Sequence, residues 1–452
     1  MTPSISGRQR QRGARTRTAV RSRYLIIGNS AGGIGAAEAI REVDSEGRLT
    51  IISDEPYPAY SRPRISDYLA GLCTQEKMAI RPPGFYTRLA IETLLGRKVV
   101  RLDLGRRLAE LDDGARIAWE RLLLATGGAP ALPPIAGLDR EGVFTFTTIE
   151  DARRLKEALR PGSRVVVVGA GLIGLSVSHA LVHLRVPVTM VEVLDRVLAS
   201  ALDREASALV ERALREAGVR LELGQTVREV LGRPDDERRV GGVLLGSGTR
   251  IPCDLVVVAA GVRPRAELAA ASGLAVNRGV LVDRRLVTSH PGVYACGDVA
   301  EGYDFVHRDQ RVIPIWPNAY MSGRAAGFNM AGVETFYHGA TGMNALSYFG
   351  LAIVAAGLVE PPEEPGYETL TADDGDRYRK VVLRDNRVVG LVFVGDIARS
   401  GIVFGLMRDG IDVGSFREAL VSERFGLVWL PEELRRERLA VPEAIPAGSA
   451  VR

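Results

Sequence analysis

A glycine-rich run, GNSAGG, occupies residues 28–33, between a strand-like stretch at 24–27 and a helix-forming stretch at 36–43. In such a turn, backbone N–H groups and the helix N-terminus can approach a pyrophosphate, and an acid at the end of the next strand can accept hydrogen bonds from ribose hydroxyls. Ser30 replaces the middle glycine of the G-x-G-x-x-G pattern, which crowds the phosphate slightly but could add a hydroxyl donor. The pattern predicts a dinucleotide site, although a glycine-rich turn in any α/β protein would look the same. Its candidate binding residues are Gly28, Ser30, Gly32, Gly33 and the strand-end acid Asp54.

A second and complete copy of this pattern, GAGLIG, lies at 169–174 after the strand-like stretch 164–168. Two copies about 140 residues apart predict two dinucleotides held by two domains. The following strand, 188–191, ends at Glu192, whose carboxylate can accept hydrogen bonds from both ribose hydroxyls but would repel the extra phosphate of NADPH. We therefore expect NADH, while Arg196 keeps NADPH open as the less favoured alternative. The candidate binding residues of this copy are Gly169, Gly171, Leu172, Ile173, Gly174 and Glu192.

Three further strand-like stretches end in glycine, which lets the backbone pass close to a bound cofactor. The stretch 121–125 ends in TGG, and the stretch 255–260 ends in GVRP. The third ends in Gly-Asp, where Asp298 could accept a hydrogen bond from a flavin ribityl hydroxyl or cap the next helix, two compatible roles. An alternating, hairpin-like stretch runs from 99 to 113. These segments add the candidate cofactor-binding residues Val99, Thr126, Gly127, Gly261, Val262 and Asp298.

The composition indicates a globular protein of two or three domains, with 452 residues, 46% of them hydrophobic and 25% charged. Seven arginines without an acidic neighbour lie in the first 23 residues, and without their charges the formal net charge falls from +4 to −3. No basic surface therefore points to nucleic acid. We expect this leader to be disordered, with a docking arm or a mitochondrial-type transit peptide as alternatives. Apolar runs stay below the ~18 residues that cross a bilayer, so we expect a cytoplasmic protein without a membrane partner.

Cysteine and histidine are too few and too scattered to carry redox or metal chemistry. Cys73, Cys253 and Cys296 form no C-x-x-C pair, which excludes a vicinal redox disulfide and a four-cysteine iron–sulfur cluster. We expect all three to be buried packing residues. His179 and His183 could share a helix face but have no evident third ligand, so we expect no metal site. No catalytic side chain is predicted, and the chemistry is left to a bound cofactor.

The ordered motifs GNSAGG, LLLATGG, VVVVGAGLIG, VVAAGVRP and VYACGDVA resemble those of the FAD/NAD(P)-dependent pyridine nucleotide-disulfide oxidoreductase superfamily, over residues 24 to about 337. The resemblance implies an α/β fold with two Rossmann-like dinucleotide-binding domains, for FAD and for NAD, and a C-terminal α+β interface domain. The implied FAD-binding domain comprises 24–141 and 269–337, and the NAD-binding domain 142–268. A disordered basic leader (1–23) precedes them, and the interface domain spans 338–452.

Within this superfamily the segment YSRPRISDYL, 60–69, resembles the ferredoxin-reductase and NADH-oxidase branch, in which it lies against the isoalloxazine. The resemblance implies that Arg62 and Pro63 contact the flavin, with a surface turn as the alternative for Arg62. Oxidases and peroxidases of the branch carry a redox cysteine in this segment, but here only Ser61 and Ser66 are present. Without a redox cysteine in this segment, we expect the redox chemistry to be carried by the flavin alone.

Three other positions bear on the implied flavin site. Asp67 stands where ferredoxin reductases of the branch commonly carry lysine. Thr147 replaces a frequent arginine, which leaves one pyrophosphate contact in doubt. Trp316, in the segment 314–319, falls at the pyrimidine end of the flavin, where it could stack or shield, or could instead anchor a core between domains.

The resemblance implies that hydride passes from NADH to flavin N5 without a protein acid or base. The chain offers no second redox group, so we expect an iron–sulfur protein or subunit as electron partner, in a hetero-oligomer rather than a homodimer. The GNSAGG, SRPRIS and WPNAY pattern is similar to NADH-linked FAD subunits of aldehyde oxidoreductase and phenylglyoxylate dehydrogenase complexes. A stand-alone ferredoxin or rubredoxin reductase, an NADH oxidase and a flavin-bearing scaffold remain the alternatives.

Overall fold

The structure, a computed structural model, describes residues 20–439. Its first α/β unit is built around the strand Val20–Ile27, which pairs in parallel with a strand on either side, Tyr24 lying opposite both Leu49 and Arg121. Leu25 and Ile26 are fully buried, as expected for a parallel strand that is covered on both faces. In sheet order, the parallel strands of this unit are Ile91–Leu95, Leu49–Ser53, Val20–Ile27, Arg116–Leu124 and Val293–Ala295.

Helices and antiparallel strands complete the first unit. The hairpin predicted at 99–113 is confirmed as Val99–Asp103 paired with Leu108–Leu111. A small sheet consists of Val280–Leu281, Ala300–Asp304 and Asp309–Val312. The α-helices are Ala31–Val43, Ile65–Ala70, Phe85–Arg88, Glu267–Ala271 and Trp316–Met330, and short 3-10 turns span Arg62–Arg64, Glu76–Met78 and Gly297–Val299.

The C-terminal boundary of the predicted disordered leader, residue 23, is wrong. Its last residues, 20–23, belong to the first strand, where Ser22 is fully buried and donates a hydrogen bond of 2.8 Å to the carbonyl oxygen of Tyr24. Pairing with Arg116–Leu124 draws these residues into the sheet, which their polar sequence does not reveal. The rest of the expected leader, and residues 440–452, lie outside the described residues.

A second parallel sheet forms the next unit. Its core strand Val165–Val168 is buried throughout, and the strands in sheet order are Arg220–Leu223, Val188–Glu192, Val165–Val168, Leu255–Val258 and Val143–Thr145. Helices Ile149–Ala158, Leu172–His183 and Arg204–Glu216 accompany this sheet. The first of these begins in a capping box between Thr148 and Asp151. An antiparallel sheet of Val227–Gly232, Val240–Leu245 and Arg250–Pro252 completes the unit.

A five-stranded antiparallel sheet characterises the C-terminal part of the chain. Its order is Met343–Tyr348, Leu351–Gly357, Arg387–Val394, Tyr378–Arg384 and Tyr367–Asp373. Asp385 and Asn386, both with positive φ, form a tight turn between two of these strands. Helices Ser400–Arg408 and Glu432–Leu439 and the 3-10 turns Arg417–Val421 and Leu427–Trp429 follow. The fold class expected from the sequence, two Rossmann-like units and a C-terminal α+β domain, is therefore confirmed.

One face of the C-terminal sheet packs against the second unit, since Ile353 and Val392 share a hydrophobic core with Val210 and Leu214. A buried ion pair reinforces this contact: Lys380 Nζ donates to Asp203 Oδ2 at 2.7 Å. The described residues contain no helix that is both long and apolar enough to span a membrane.

Candidate functional site

The turn at 28–33 requires glycine at two positions. Gly28 has φ +122°, and a Cβ there would overlap the carbonyl oxygen of Ala125 on the neighbouring strand. A Cβ on Gly33 would overlap the carbonyl oxygen of Gly28, so the helix packs directly on the turn that precedes it. The N-terminus of helix Ala31–Val43 consequently lies at the carboxyl end of the parallel strands, where open α/β sheets bind dinucleotides.

The side chains of Ser30 and its neighbour Asn29 differ in their hydrogen bonding. Asn29 is held by two hydrogen bonds, accepting one from the Tyr86 hydroxyl at 2.9 Å and donating one to the Tyr57 carbonyl at 3.2 Å. Ser30 is the N-cap residue of the helix, yet its hydroxyl makes no capping hydrogen bond. A half-buried hydroxyl at a helix N-terminus that does not cap the helix can donate to a phosphate oxygen.

The small residues of helix Trp316–Met330 pack on the helix of the first glycine-rich turn. A Cβ on Gly323 would overlap the carbonyl oxygen of Gly32, and one on Gly327 would overlap that of Ala36. This close packing of one helix on the backbone of the other requires that both glycines lack a Cβ. It places the start of the helix beside the Gly-Asp turn, where Gly297 N donates to Ser322 Oγ at 3.1 Å.

Asp298 lies in a 3-10 turn that continues into the strand Ala300–Asp304, and the next α-helix begins only at Trp316. The alternative that Asp298 caps a helix directly after it is therefore wrong, because the chain pairs into a strand there. Burial raises the pKa of Asp298 above its usual range, and the positive charge of Arg62 opposes that rise. A half-buried carboxylate in this position can accept a hydrogen bond from a ligand hydroxyl.

Arg62 is held by the chain rather than lying free on a turn. Its guanidinium pairs with Glu55 and donates to the carbonyl oxygen of Thr147 at 2.9 Å, while the Tyr60 hydroxyl donates to the same Glu55 at 2.6 Å. The guanidinium therefore lies next to the position at which the branch carries a different arginine. Pro63 follows in the same 3-10 turn and is exposed.

The cysteines are buried packing residues, as expected. Burial raises the pKa of Cys253 and of Cys296 to about 12 and raises that of Cys73 as well, so these thiols are protonated at neutral pH. Ser66, at one of the two serine positions of the flavin-facing segment, is buried. Within residues 20–439, no group of three or more His, Cys, Asp or Glu side chains is arranged to hold a metal ion.

The second glycine-rich turn has space for a ligand. Gly169 has φ +107°, and a Cβ on Gly174 would overlap the carbonyl oxygen of Gly169, so these two glycines serve backbone packing. A Cβ on Gly171, the N-cap residue of the helix that begins with Leu172 and Ile173, would meet nothing within 4 Å. This open position at a helix N-terminus fits a pyrophosphate.

Glu192 closes one side of that opening. Its Oε2 accepts a hydrogen bond from Ala170 N at 2.7 Å, and its Oε1 accepts one from Leu194 N at 2.9 Å. The carboxylate is thus oriented by the turn itself and retains lone pairs for ribose hydroxyls. Arg196 is turned to other partners, Asp195 at 3.1 Å and Glu360 at 2.8 Å.

The two strand-end motifs meet in a short antiparallel pair that joins the units, Gly128–Pro130 with Val262–Pro264. Thr126 Oγ1 donates to the carbonyl oxygen of Arg265 at 2.9 Å. Gly127 and Gly261 both have positive φ and open space at the Cβ position. The pairing brings the carboxyl ends of both parallel sheets to one place.

The remaining candidates are less open to a ligand. Asp54 is exposed and forms an ion pair with Arg265 at 3.0 Å. A ribose hydroxyl would have to compete with Arg265 for the Asp54 carboxylate. Val99 is buried opposite Leu111, so only its backbone is accessible to a cofactor.

Trp316 lies outside the hydrophobic cores of residues 20–439 and stacks on Tyr320 of its own helix, with ring centroids 5.6 Å apart. Its Nε1 is buried without a hydrogen-bond partner in the described part of the chain. A buried indole N–H without a partner is costly, and a ligand acceptor would satisfy it. This geometry favours the cofactor role over the core-anchor alternative.

The sequence did not reveal the ion-pair partners of three candidate residues. Glu55 pairs with Arg62, Arg265 with Asp54, and Glu360 with Arg196. No motif signals them, because the last two pairs join residues that are 211 and 164 positions apart. Two glycine-rich helix N-termini at the facing ends of two parallel sheets define a protein that binds two dinucleotides, with no thiol or metal site of its own among the described residues.

Comparison with known proteins agrees with this class. A family model described as pyridine nucleotide-disulphide oxidoreductase matches residues 22–323, and one described as rubredoxin NAD+ reductase C-terminal domain matches residues 343–411. The chain belongs to the pyridine nucleotide-disulphide oxidoreductase family, whose members are oxidoreductases that use FAD and NAD(H). The resemblance that the motifs indicate is thereby confirmed.

Three similar proteins illustrate the match. The NADH-dependent phenylglyoxylate dehydrogenase subunit epsilon of Aromatoleum evansii is 30% identical over 405 residues, which are 89% of this chain and 95% of that protein. The nitrite reductase (NAD(P)H) of Bacillus subtilis (strain 168) is 30% identical over 87% of this chain, but the chain spans only about half of it, 48%. The covalent complex of putidaredoxin reductase with putidaredoxin contains a chain of TM-score 0.81 and 28% identity, covering 89% of this chain and 96% of that one.

Proposed function

We propose that the chain binds FAD at its first glycine-rich turn and NADH at its second, and that it passes electrons from NADH to an iron–sulfur protein or subunit. The observation that carries this proposal is the antiparallel pair Gly128–Pro130 with Val262–Pro264, which joins the carboxyl ends of the two parallel sheets. Both dinucleotides would thereby have their reactive ends within one cleft. When bound, FAD supplies the redox chemistry, accepting hydride from NADH and releasing electrons to the acceptor.

The FAD-binding domain would comprise residues 24–141 and 269–337. The unused hydroxyl of Ser30, the half-buried carboxylate of Asp298 and the orphan Nε1 of Trp316 are polar groups that a bound dinucleotide would satisfy. Arg62 would supply positive charge beside Thr147, where the branch carries another arginine. The full set proposed for FAD is Gly28, Ser30, Gly32, Gly33, Asp54, Arg62, Pro63, Val99, Thr126, Gly127, Asp298 and Trp316.

The NAD-binding domain would comprise residues 142–268. Gly171 provides the open approach for the pyrophosphate, and Glu192 would accept hydrogen bonds from the adenosine ribose. The protein would orient the nicotinamide and exclude water without moving a proton, since hydride transfer requires no acid or base. The full set proposed for NADH is Gly169, Gly171, Leu172, Ile173, Gly174, Glu192, Gly261 and Val262.

For the acceptor, we favour an iron–sulfur subunit of a cytoplasmic multi-subunit oxidoreductase, such as an aldehyde oxidoreductase, with this chain as its NADH-linked subunit in a hetero-oligomer. Support comes from the relative named as a phenylglyoxylate dehydrogenase subunit, which the chain matches over nearly its whole length. A stand-alone rubredoxin or ferredoxin reductase is the second candidate. It is favoured by the C-terminal match to a rubredoxin NAD+ reductase domain and by the putidaredoxin reductase likeness.

Anaerobic purification from the native host, followed by NADH titration, tests the proposal. Loss of the oxidised-flavin absorbance on addition of NADH is expected, and its absence would contradict NADH-to-FAD transfer. A co-purifying iron–sulfur protein that NADH reduces only in the presence of this chain would establish the subunit role. Isolation as a lone chain that rapidly reduces rubredoxin or ferredoxin would favour the stand-alone reductase, and rapid oxygen consumption without a carrier would favour an oxidase.

A further inference from the structure

The loop that follows Glu192 carries a cation which the proposed NADH site does not use. Arg196 lies four residues after Glu192, in the segment between strand Val188–Glu192 and helix Arg204–Glu216. In dinucleotide-binding folds, an arginine near this strand end accommodates the 2′-phosphate of NADPH. The chain therefore places an acid that suits NADH and an arginine that suits NADPH on the same loop.

Contacts in the structure show how Arg196 is occupied. Its Nη2 donates to Glu360 Oε1 at 2.8 Å and its Nη1 donates to Asp195 Oδ1 at 3.1 Å. The Arg196 side chain is 16% exposed, and its Nε is buried without a partner among the described residues. The guanidinium is thus turned towards two carboxylates and largely shielded from solvent.

The two carboxylates are not equivalent. Asp195 is shared, because Arg204 also pairs with it at 2.5 Å, and Arg204 together with Arg196 lowers the pKa of Asp195. Glu360 pairs with Arg196 alone among the described residues. It comes from the C-terminal domain, just after strand Leu351–Gly357 and 164 positions from Arg196.

We propose that Glu360 is a specificity-determining residue for the dinucleotide: it holds Arg196 in an ion pair and so denies the 2′-phosphate of NADPH its cation. This inference rests on the proposed binding of NAD(H) at the second glycine-rich turn. With Arg196 neutralised, Glu192 faces the ribose without the charge of Arg196 to offset its own, and the doubly charged phosphate is repelled. The C-terminal domain would thereby take part in selecting the cofactor of the domain on which it packs.

The ion pair can be removed with little risk to the fold. Glu360 is 54% exposed, and Arg196, although only 16% exposed, keeps its ion pair with Asp195 when the charge of Glu360 is removed. Glu360→Gln keeps the size of the side chain and removes its charge. Glu363→Gln is the matched control, because it removes the same charge from an exposed side chain three residues away that forms no ion pair within residues 20–439.

The test is calorimetric titration of the FAD-loaded protein with NAD+ and NADP+, which reports binding without turnover. In Glu360→Gln, the dissociation constant for NADP+ should fall about tenfold while that for NAD+ stays within about twofold, because the freed guanidinium can form a charge-assisted hydrogen bond with the phosphate. The control should leave both constants unchanged. In an Arg196→Ala background, Glu360→Gln should no longer affect NADP+ binding.

Two results would overturn the assignment. One is an unchanged NADP+ constant in Glu360→Gln when NAD+ binds normally. The other is a gain in NADP+ affinity that persists in the Arg196→Ala background or appears equally in Glu363→Gln, which would indicate a general charge effect. Failure of the unmodified protein to bind NAD+ would instead contradict the proposed function, together with the inference that rests on it.

Discussion

Replacing Glu192 with alanine should weaken NADH binding while leaving the maximal rate of flavin reduction nearly unchanged. The carboxylate is already oriented by Ala170 N at 2.7 Å and Leu194 N at 2.9 Å, and we expect it to accept hydrogen bonds from the ribose as well. A hydrogen bond to a charged group contributes about 1.5–3 kcal/mol. Since the carboxylate is half-buried, we take about 2 kcal/mol in total, which corresponds to a roughly 30-fold higher Michaelis constant.

Anaerobic stopped-flow measurement of flavin reduction against NADH concentration separates binding from chemistry. The ribose contact is the same in the ground state and the transition state, so the effect should appear in the Michaelis constant and not in the maximal rate. Glu192→Gln keeps one carbonyl oxygen, and so an acceptor for only one of the two backbone N–H groups, and should give an intermediate value. A Michaelis constant within about twofold of the parent in Glu192→Ala, at an unchanged melting temperature, would refute the reasoning.

Other perturbations test the remaining parts of the structure. Gly171→Ala should fold normally but lose NADH affinity at least tenfold, because its Cβ enters only the open ligand space. Gly174→Ala should instead lower the melting temperature, because its Cβ overlaps the backbone of Gly169. Burial raises the pKa of Asp298, so a contribution to folding stability that is present below about pH 4 is lost as the pH rises through the folded-state pKa. The Asp298→Asn apoprotein should therefore have a higher melting temperature than the parent apoprotein at about pH 7. The same variant should retain FAD less well. Lys380→Ala, which leaves Asp203 buried without its cation, should lower the free energy of unfolding by about 3–5 kcal/mol in denaturant titration.

Each of these tests has a control or an outcome that would count against it. Equal NADH affinities for Gly171→Ala and the parent would mean that the pyrophosphate does not approach that turn. No stability difference between Asp298→Asn and the parent apoprotein across the pH range would mean that the carboxylate is adequately solvated. Arg212→Ala, which removes an exposed ion pair with Asp376, is the control for Lys380 and should cost no more than about 1 kcal/mol.

The parallel strands and both glycine-rich turns could be read from the sequence because the constraints on them are local. A positive φ at Gly28 and the absence of a Cβ at Gly33 and Gly174 are requirements of a strand that turns directly into a helix, and only glycine meets them cheaply. The strand limits were nearly right for the same reason, since buried parallel strands are apolar throughout. Two strands begin well before their predicted starts, at residues 20–23 and 116–120, because these two segments pair with each other across about 100 positions.

The electrostatics of the site, in contrast, depend on which distant residues meet. Sequence alone determined that two dinucleotide turns exist, that an acid ends the second strand of each, and that no cysteine stands in the flavin-facing segment. Tertiary structure decided that Arg62 pairs with Glu55 beside Thr147, and that Arg196 is bound by a carboxylate of the C-terminal domain. Local patterns report the conformation of a few consecutive residues, whereas Asp54 and Arg196 find their partners only after segments more than a hundred positions apart have packed together.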